Sequence, residues 1–134
     1  MKKLTEIEGI GASYAERLQG AGVVSVEDLL EKGSSPKGRK ELAENAEISD
    51  KLLLRWVNMA DLFRIKGVGE EYADLLEAAG VDTVPELGQR NPENLHKKME
   101  EVNETKKLVR RAPNLSEVSS WIEHAKTLPR KINY

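Results

Sequence analysis

The chain contains no cysteine. Disulfide bonds, a thiolate metal site and a cysteine nucleophile are therefore all excluded, and a reducing interior suits such a sequence. No apolar run approaches the roughly 18 residues that a membrane-spanning helix requires. The Met1-Lys2-Lys3 start is not followed by a hydrophobic signal core, so a cytoplasmic location with no membrane partner is expected. Neither sign of charge is in large excess: 21 Lys and Arg face 23 Asp and Glu, leaving a net charge of -2. Any affinity for nucleic acid must then come from local patches rather than from the field of the whole molecule. Alternating β-branched stretches of strand length are also missing, which points to an all-α chain. Its 134 residues suffice for one compact domain or two small ones sharing a core.

What the chain does have is a passage written twice. Ile7-Glu8-Gly9-Ile10-Gly11-Ala12-Ser13-Tyr14-Ala15-Glu16-Arg17-Leu18 returns as Ile65-Lys66-Gly67-Val68-Gly69-Glu70-Glu71-Tyr72-Ala73-Asp74-Leu75-Leu76. The register holds beyond it, Ala21-Gly22-Val23 meeting Ala79-Gly80-Val81 and Val26-Glu27-Asp28-Leu29 meeting Val84-Pro85-Glu86-Leu87. Trp121-Ile122-Glu123-His124-Ala125 is similar to Trp56-Val57-Asn58-Met59-Ala60, so the repeat extends over both halves with insertions in the second.

Helix periodicity and start and stop residues predict about ten short helices. Lys3 to Glu8 is expected to form a first helix ending at Gly9, and Ala12 to Ala21 a second, stopped by Gly22. Ser25 caps the next, with Asp28 as its acid, and Thr83 with Glu86 forms a capping box at the matching place. Gly33 to Gly38, rich in Gly, Ser and Pro, is read as a flexible surface loop before a helix from Arg39 to Asn45. Ser49 caps a long helix with Leu52, Leu53, Trp56, Met59, Ala60 and Phe63 at spacings of three and four, running into the second glycine passage as one rigid rod. Asn91-Pro92 opens a helix carrying Leu95, Met99 and Val102, and a further turn or two holds Leu108 and Val109. Ser116 caps the last helix, ended by Pro129, and residues 130–134 are expected to fray. The expected core contains Ile7, Ile10, Tyr14, Leu18, Leu29, Leu53, Trp56, Ile65, Val68, Tyr72, Leu76, Leu87 and Trp121.

The twice-written passage resembles the helix-hairpin-helix motif, a module of DNA repair, recombination and replication proteins. The resemblance rests on Ile7, Gly9, Ile10, Gly11, Ala15 and Leu18, and on Ile65, Gly67, Val68, Gly69, Ala73 and Leu76. With Ala-Gly-Val following each passage, the whole chain is similar to a small, functionally uncharacterised prokaryotic family of paired helix-hairpin-helix units. The resemblance implies an all-α fold of duplicated units packed into one compact helical domain, residues 1–62 forming the first unit and 63–134 the second. It also implies that main-chain amides at Gly9, Gly11 and Ala12, and at Gly67, Gly69 and Glu70, hold phosphates of a DNA backbone. Such contacts position a protein on DNA without reading its sequence.

The residues themselves support part of this. A glycine at a helix end takes positive φ freely, Ile10 or Val68 can plug the gap between two helices, and free amides opening a helix attract anions. Ala12, Ser13 and Arg17 make the first corner chemically cleaner, whereas Glu70 and Glu71 stand where a phosphate would meet the second, beside Arg64 and Lys66. The acids also suit a helix dipole without any ligand. Lys37, Arg39 and Lys40 form one basic cluster and Lys106, Lys107, Arg110 and Arg111 another, either of which could simply face water. Leu42 to Trp56 is similar to a helix-turn-helix, but Leu52 to Leu54 and Trp56 require most of its second helix to be buried. Trp56 and Trp121 lie on apolar stripes, which favours core packing over stacking on bases.

Chemistry finds little foothold. His96 and His124 stand far apart without a third ligand, so no metal is expected. Neither a Ser-His-Asp order nor a phosphate-binding Walker loop is present, and scattered carboxylates do not make a nuclease. The sequence is thus read as a non-enzyme with no cofactor and no small-molecule substrate. It is expected to bind DNA weakly through Gly9, Gly11, Ala12, Ser13, Arg17, Lys37, Arg39, Lys40, Arg64, Lys66, Gly67 and Gly69. The alternative is a protein-interaction or scaffold module that kept the fold and lost DNA affinity.

Overall fold

The structure, a computed structural model, describes residues 2–134. Among the described residues it is all-helical, without a strand: eight α-helices and one short 3-10 turn at Leu4–Glu6. The helices are α1 (Ala12–Gly20), α2 (Val26–Lys32), α3 (Pro36–Ala46), α4 (Asp50–Leu62), α5 (Glu70–Ala78), α6 (Val84–Gly88), α7 (Pro92–Lys106) and α8 (Leu115–Thr127). The count of about ten is corrected to eight for two reasons. The expected first helix is only the turn at Leu4–Glu6, and residues 107–114, expected to add a turn or two, are not helical.

The chain divides into two compact units, one from Met1 to Asp61 together with Lys131–Tyr134, the other Leu62–Arg130. In the first unit α1 packs on α3 and on the 3-10 turn, and α2 packs on α3. Ser25 accepts the Asp28 amide at 3.1 Å while Asp28 accepts the Val24 amide at 3.2 Å, so the short acid completes the cap from one residue further out than in a capping box. Ser49 caps α4 by accepting the Leu52 amide at 3.2 Å, and Leu53, Trp56, Val57 and Met59 along it are buried completely.

The second half of the segment read as a loop, Pro36 to Gly38, is the first turn of α3. Ser35 caps α3 by accepting the Gly38 amide at 3.0 Å, and Pro36 takes the first helical position, where its missing N–H costs nothing. α3 ends on Glu47, a non-glycine residue in the left-handed region with φ 56°.

In the second unit α8 is the central element, packed against α6 and α7, and α5 packs on α7. Asn91 caps α7 by accepting the Asn94 amide at 3.0 Å, with Pro92 at the first position. α8 starts earlier than expected because Asn114, not Ser116, caps it: Asn114 accepts the Glu117 amide at 2.8 Å and Glu117 accepts the Asn114 amide at 3.1 Å. Thr83 makes no side-chain cap bond to α6; the box acid Glu86 instead accepts the Asp82 amide at 3.3 Å.

That arrangement leaves Asp82 in company it does not suit. Burial, then the neighbouring carboxylates of Glu86 and Glu77, push its carboxyl above the usual 3.8. A carboxyl whose folded pKa is raised destabilises the fold once pH climbs above the unfolded value, and most fully above the folded one. Asp82→Asn is therefore expected to raise Tm at pH 7 by roughly 2 °C, a surface-sized effect. The gain should vanish near pH 3, where Asp82 is protonated in both states. Thermal melts at the two pH values check this, and an equal gain at both would refute the electrostatic cause.

Candidate nucleic-acid interface

The first corner is built from Ile7 to Tyr14. The Ile7 amide bonds to the Leu4 carbonyl at 3.1 Å and the Ile10 amide to the Ile7 carbonyl at 3.1 Å, winding the chain back on itself. Gly9 sits at the bend with φ +97°, a conformation that side chains rarely adopt. A second constraint fixes the same residue: a Cβ on Gly9 would stand 3.1 Å from Nε1 of Trp56. The indole floors the corner from within, and Tyr14 meets it edge-on with ring centroids 4.9 Å apart. Ile10 is buried at the apex.

Gly11 then caps α1 in an extended conformation, φ -90° and ψ -170°, and offers no side-chain cap. The first helical bond is given by Ala15, to the Gly11 carbonyl at 3.0 Å. The amides of Ala12, Ser13 and Tyr14 have no hydrogen-bond partner among the described residues, and a Cβ on Gly11 would meet nothing within 4 Å. No acid occupies the first turn of α1. Free donors at the positive end of a helix dipole form an anion-binding geometry.

The second corner repeats these bonds in its own frame. Ile65 bonds to Leu62 and Val68 to Ile65, each at 3.1 Å, Gly67 has φ +92°, and its Cβ would stand 3.1 Å from Nε1 of Trp121. Tyr72 meets Trp121 at 5.0 Å. Gly69 caps α5, with nothing within 4 Å above it. The surroundings differ. Glu70 and Glu71 fill the first turn of α5, and the Lys66 amide is given to Nδ1 of His124 at 3.1 Å. A cleft of about 500 Å³ runs from Gly67, Gly69 and Tyr72 past the two acids to Arg110 and Arg111. Arg110, almost fully exposed, reaches Glu71 at 3.7 Å. Arg111 grips Glu117 with two bonds of 2.9 and 3.0 Å, and its carbonyl accepts the Tyr72 hydroxyl at 3.1 Å. The Arg111 bond, then the Asn114 amide, hold the Glu117 carboxyl below its usual range.

Of the candidate contacts, Gly9, Gly11, Ala12, Ser13 and Arg17 gather at the first corner. Arg17 lies over the Tyr14 ring at 5.3 Å and donates to the Glu47 carbonyl at 3.1 Å, bracing the left-handed end of α3. Lys37 and Lys40 are exposed on α3, while Arg39 turns inward and donates to the carbonyls of Gly33 and Asn133, each at 2.8 Å. Lys66, Gly67 and Gly69 lie at the second corner; Arg64 is half-buried with its Nη2 shielded from solvent. Sequence reasoning missed Arg110, Arg111 and His124 as parts of that corner. A signal for the arginines existed: Gly9 and Gly67 stand 58 apart but Trp56 and Trp121 stand 65 apart, so the second unit carries extra residues before its last helix, and the arginines lie on them. Among the described residues no group of three or more His, Asp or Glu is placed to hold a metal ion, and no helix is long and apolar enough to cross a membrane.

The fold and corners define an all-α protein with two tryptophan-floored glycine turns. Residues 8–128 match the family described as "Domain of unknown function (DUF4332)", and the chain belongs to that family. No curated protein and no solved structure matches it.

Proposed function

We propose that the chain is a non-catalytic nucleic-acid-binding module in which two helix-hairpin-helix units hold backbone phosphates without reading sequence, the first corner contributing most. The observation that carries this reading is the start of α1, where the amides of Ala12, Ser13 and Tyr14 are unpaired, a Cβ on Gly11 would meet nothing within 4 Å and no acid occupies the first turn. At the second corner Glu70 and Glu71 repel a phosphate, which ranks it below the first. Lys37 and Lys40, on the helix packed against α1, supply cations that a DNA strand can reach.

If two or three phosphates are neutralised, binding is weak and the log-log salt slope is about -2 to -3. Fluorescence anisotropy on single-stranded, duplex and branched DNA at low salt measures both. Gly11→Glu is a clean probe, because a side chain there meets nothing within 4 Å and the backbone is extended. It is expected to leave the melting curve in place and weaken binding at least tenfold, a carboxylate having taken the phosphate position. Binding unchanged in Gly11→Glu moves the contacts to Lys37 and Lys40, and no binding to any form at low salt removes the proposal. A second reading, a protein-interaction module on the same fold, draws support from the acids at the second corner and the net charge of -2. It becomes the better account if all DNA forms fail while a protein partner is captured specifically.

A further inference from the structure

The four residues Lys131–Tyr134 belong to the first unit, although they follow the last helix of the second. They carry no regular secondary structure, yet they are tied down by hydrogen bonds and by one buried side chain where fraying was expected. α8 ends at Thr127, and Leu128 leaves it extended, with φ -94° and ψ 138°, ahead of Pro129. Ile132 is then buried with the core, 2% exposed, while Lys131, Asn133 and Tyr134 remain exposed. Both main-chain groups of Asn133 are captured: its amide donates to the Ser34 carbonyl at 2.8 Å and its carbonyl accepts from Nη2 of Arg39 at 2.8 Å. The same guanidinium donates from Nη1 to the Gly33 carbonyl and lies 5.6 Å from the centre of the Tyr134 ring. The Tyr134 hydroxyl donates to Oδ1 of Asn58 at 2.9 Å.

This is how an extended peptide is recognised: main-chain bonds fix the strand, and alternate side chains are read in pockets. The middle residue is gripped by its backbone alone, one aliphatic side chain is swallowed, and an aromatic ring two positions on meets a cation and an amide oxygen. Arg39 is the pin, since its planar fork reaches two carbonyls at once, which a lysine ammonium does not reproduce. The start of α3, which carries Arg39, is set by Ser35 and Pro36 and not by the tail.

We propose that the groove formed by Gly33, Ser34, Arg39 and Asn58 is a recognition site for an extended segment of the pattern aliphatic-x-Tyr, and that residues 131–134 are its resident occupant, competing with a partner strand of the same chemistry. The tail shields the site as a tethered ligand, at the millimolar effective concentration a short linker gives. A partner that presents the same pattern displaces it.

The test uses the full chain and a fluorescein-labelled peptide with the sequence of residues 128–134. Ile132→Asp in the protein should release the resident tail and allow saturable peptide binding. The native chain should bind the same peptide at least tenfold more weakly, because its own tail competes. A peptide carrying aspartate in place of its isoleucine should not bind, and Arg39→Lys added to the released chain should weaken binding at least tenfold. Asn133→Pro removes the amide given to Ser34 without touching a buried side chain. It must give the same ordering, so the proposal stays testable if Ile132→Asp perturbs folding. Failure of both released variants to bind, or binding of the native chain as tight as theirs, overturns the proposal.

Discussion

Trp56→Ala is expected to cost the first unit about 3–5 kcal/mol, the range for truncating a large buried aromatic side chain. Trp56 is completely buried, its ring packs against Tyr14, and its Nε1 lies against the bend at Gly9. Removing it takes the floor from the corner and leaves a cavity bounded by backbone that has no freedom to collapse, since Gly9 is committed to positive φ and Ile10 to the apex. Nε1 of Trp56 has no hydrogen-bond partner, so the indole stabilises by packing. Trp56→Phe should therefore cost less, about 1–2 kcal/mol, because no buried acceptor is stranded. Chemical denaturation followed by circular dichroism measures both losses, and Trp121, which remains, reports fluorescence separately. A loss below about 1 kcal/mol for Trp56→Ala would show that the corner is held by its own backbone bonds. The corner is also where an anion is proposed to bind, so the destabilised variant should lose nucleic-acid affinity along with stability, unlike Gly11→Glu.

How much of this could be read beforehand follows from which interactions are local. The helical class, the buried stripe of α4, the caps at Ser25, Ser49 and Asn91, and the two bends were all legible, because each is decided by residues three or four positions apart. The later part of α3, Arg39 to Asn45, was read as helix, but its start was not, since Gly33 to Gly38 reads locally as a breaker cluster. There the Ser-Pro pair is a helix start, and only the capped geometry distinguishes that from a turn. The expected core holds closely, with Tyr14 and Tyr72 half-buried at the rim rather than inside. The tail, the Arg111 bridge to the second corner and the His124 bond to Lys66 depend on residues far apart in the chain. Their partners are separated by tens of residues in sequence, as Arg39 and Asn133 are, so no periodicity announces them. Arg39 illustrates the limit. Its basic neighbours Lys37 and Lys40 face solvent as a charge cluster should, while the residue between them turns in to bridge two carbonyls.

Gly38→Ala should destabilise the first unit as well, by less than loss of the tryptophan, although propensity alone argues the reverse. In an exposed helix interior alanine is favoured over glycine by roughly 1 kcal/mol. At this position, however, a Cβ would stand 2.3 Å from the Lys32 carbonyl oxygen at the end of α2, and 3.1 Å from the Ser35 hydroxyl that caps α3. The first neighbour is backbone and cannot rotate aside. Either α2 must retreat, opening the packing of Leu29 and Leu30, or the first turn of α3 must shift and release its cap. Overpacking of this kind costs about 3 kcal/mol, net of the propensity gain about 2, with a fall in Tm of roughly 5–10 °C. The groove of Gly33, Ser34 and Arg39 lies on the same α2–α3 corner, so the variant should also loosen Lys131–Tyr134, visible as faster amide exchange at Asn133. A Gly38→Ala chain that melts at or above the native temperature would mean that α2 and α3 can separate cheaply. The tail would then be holding the corner, not resting on it.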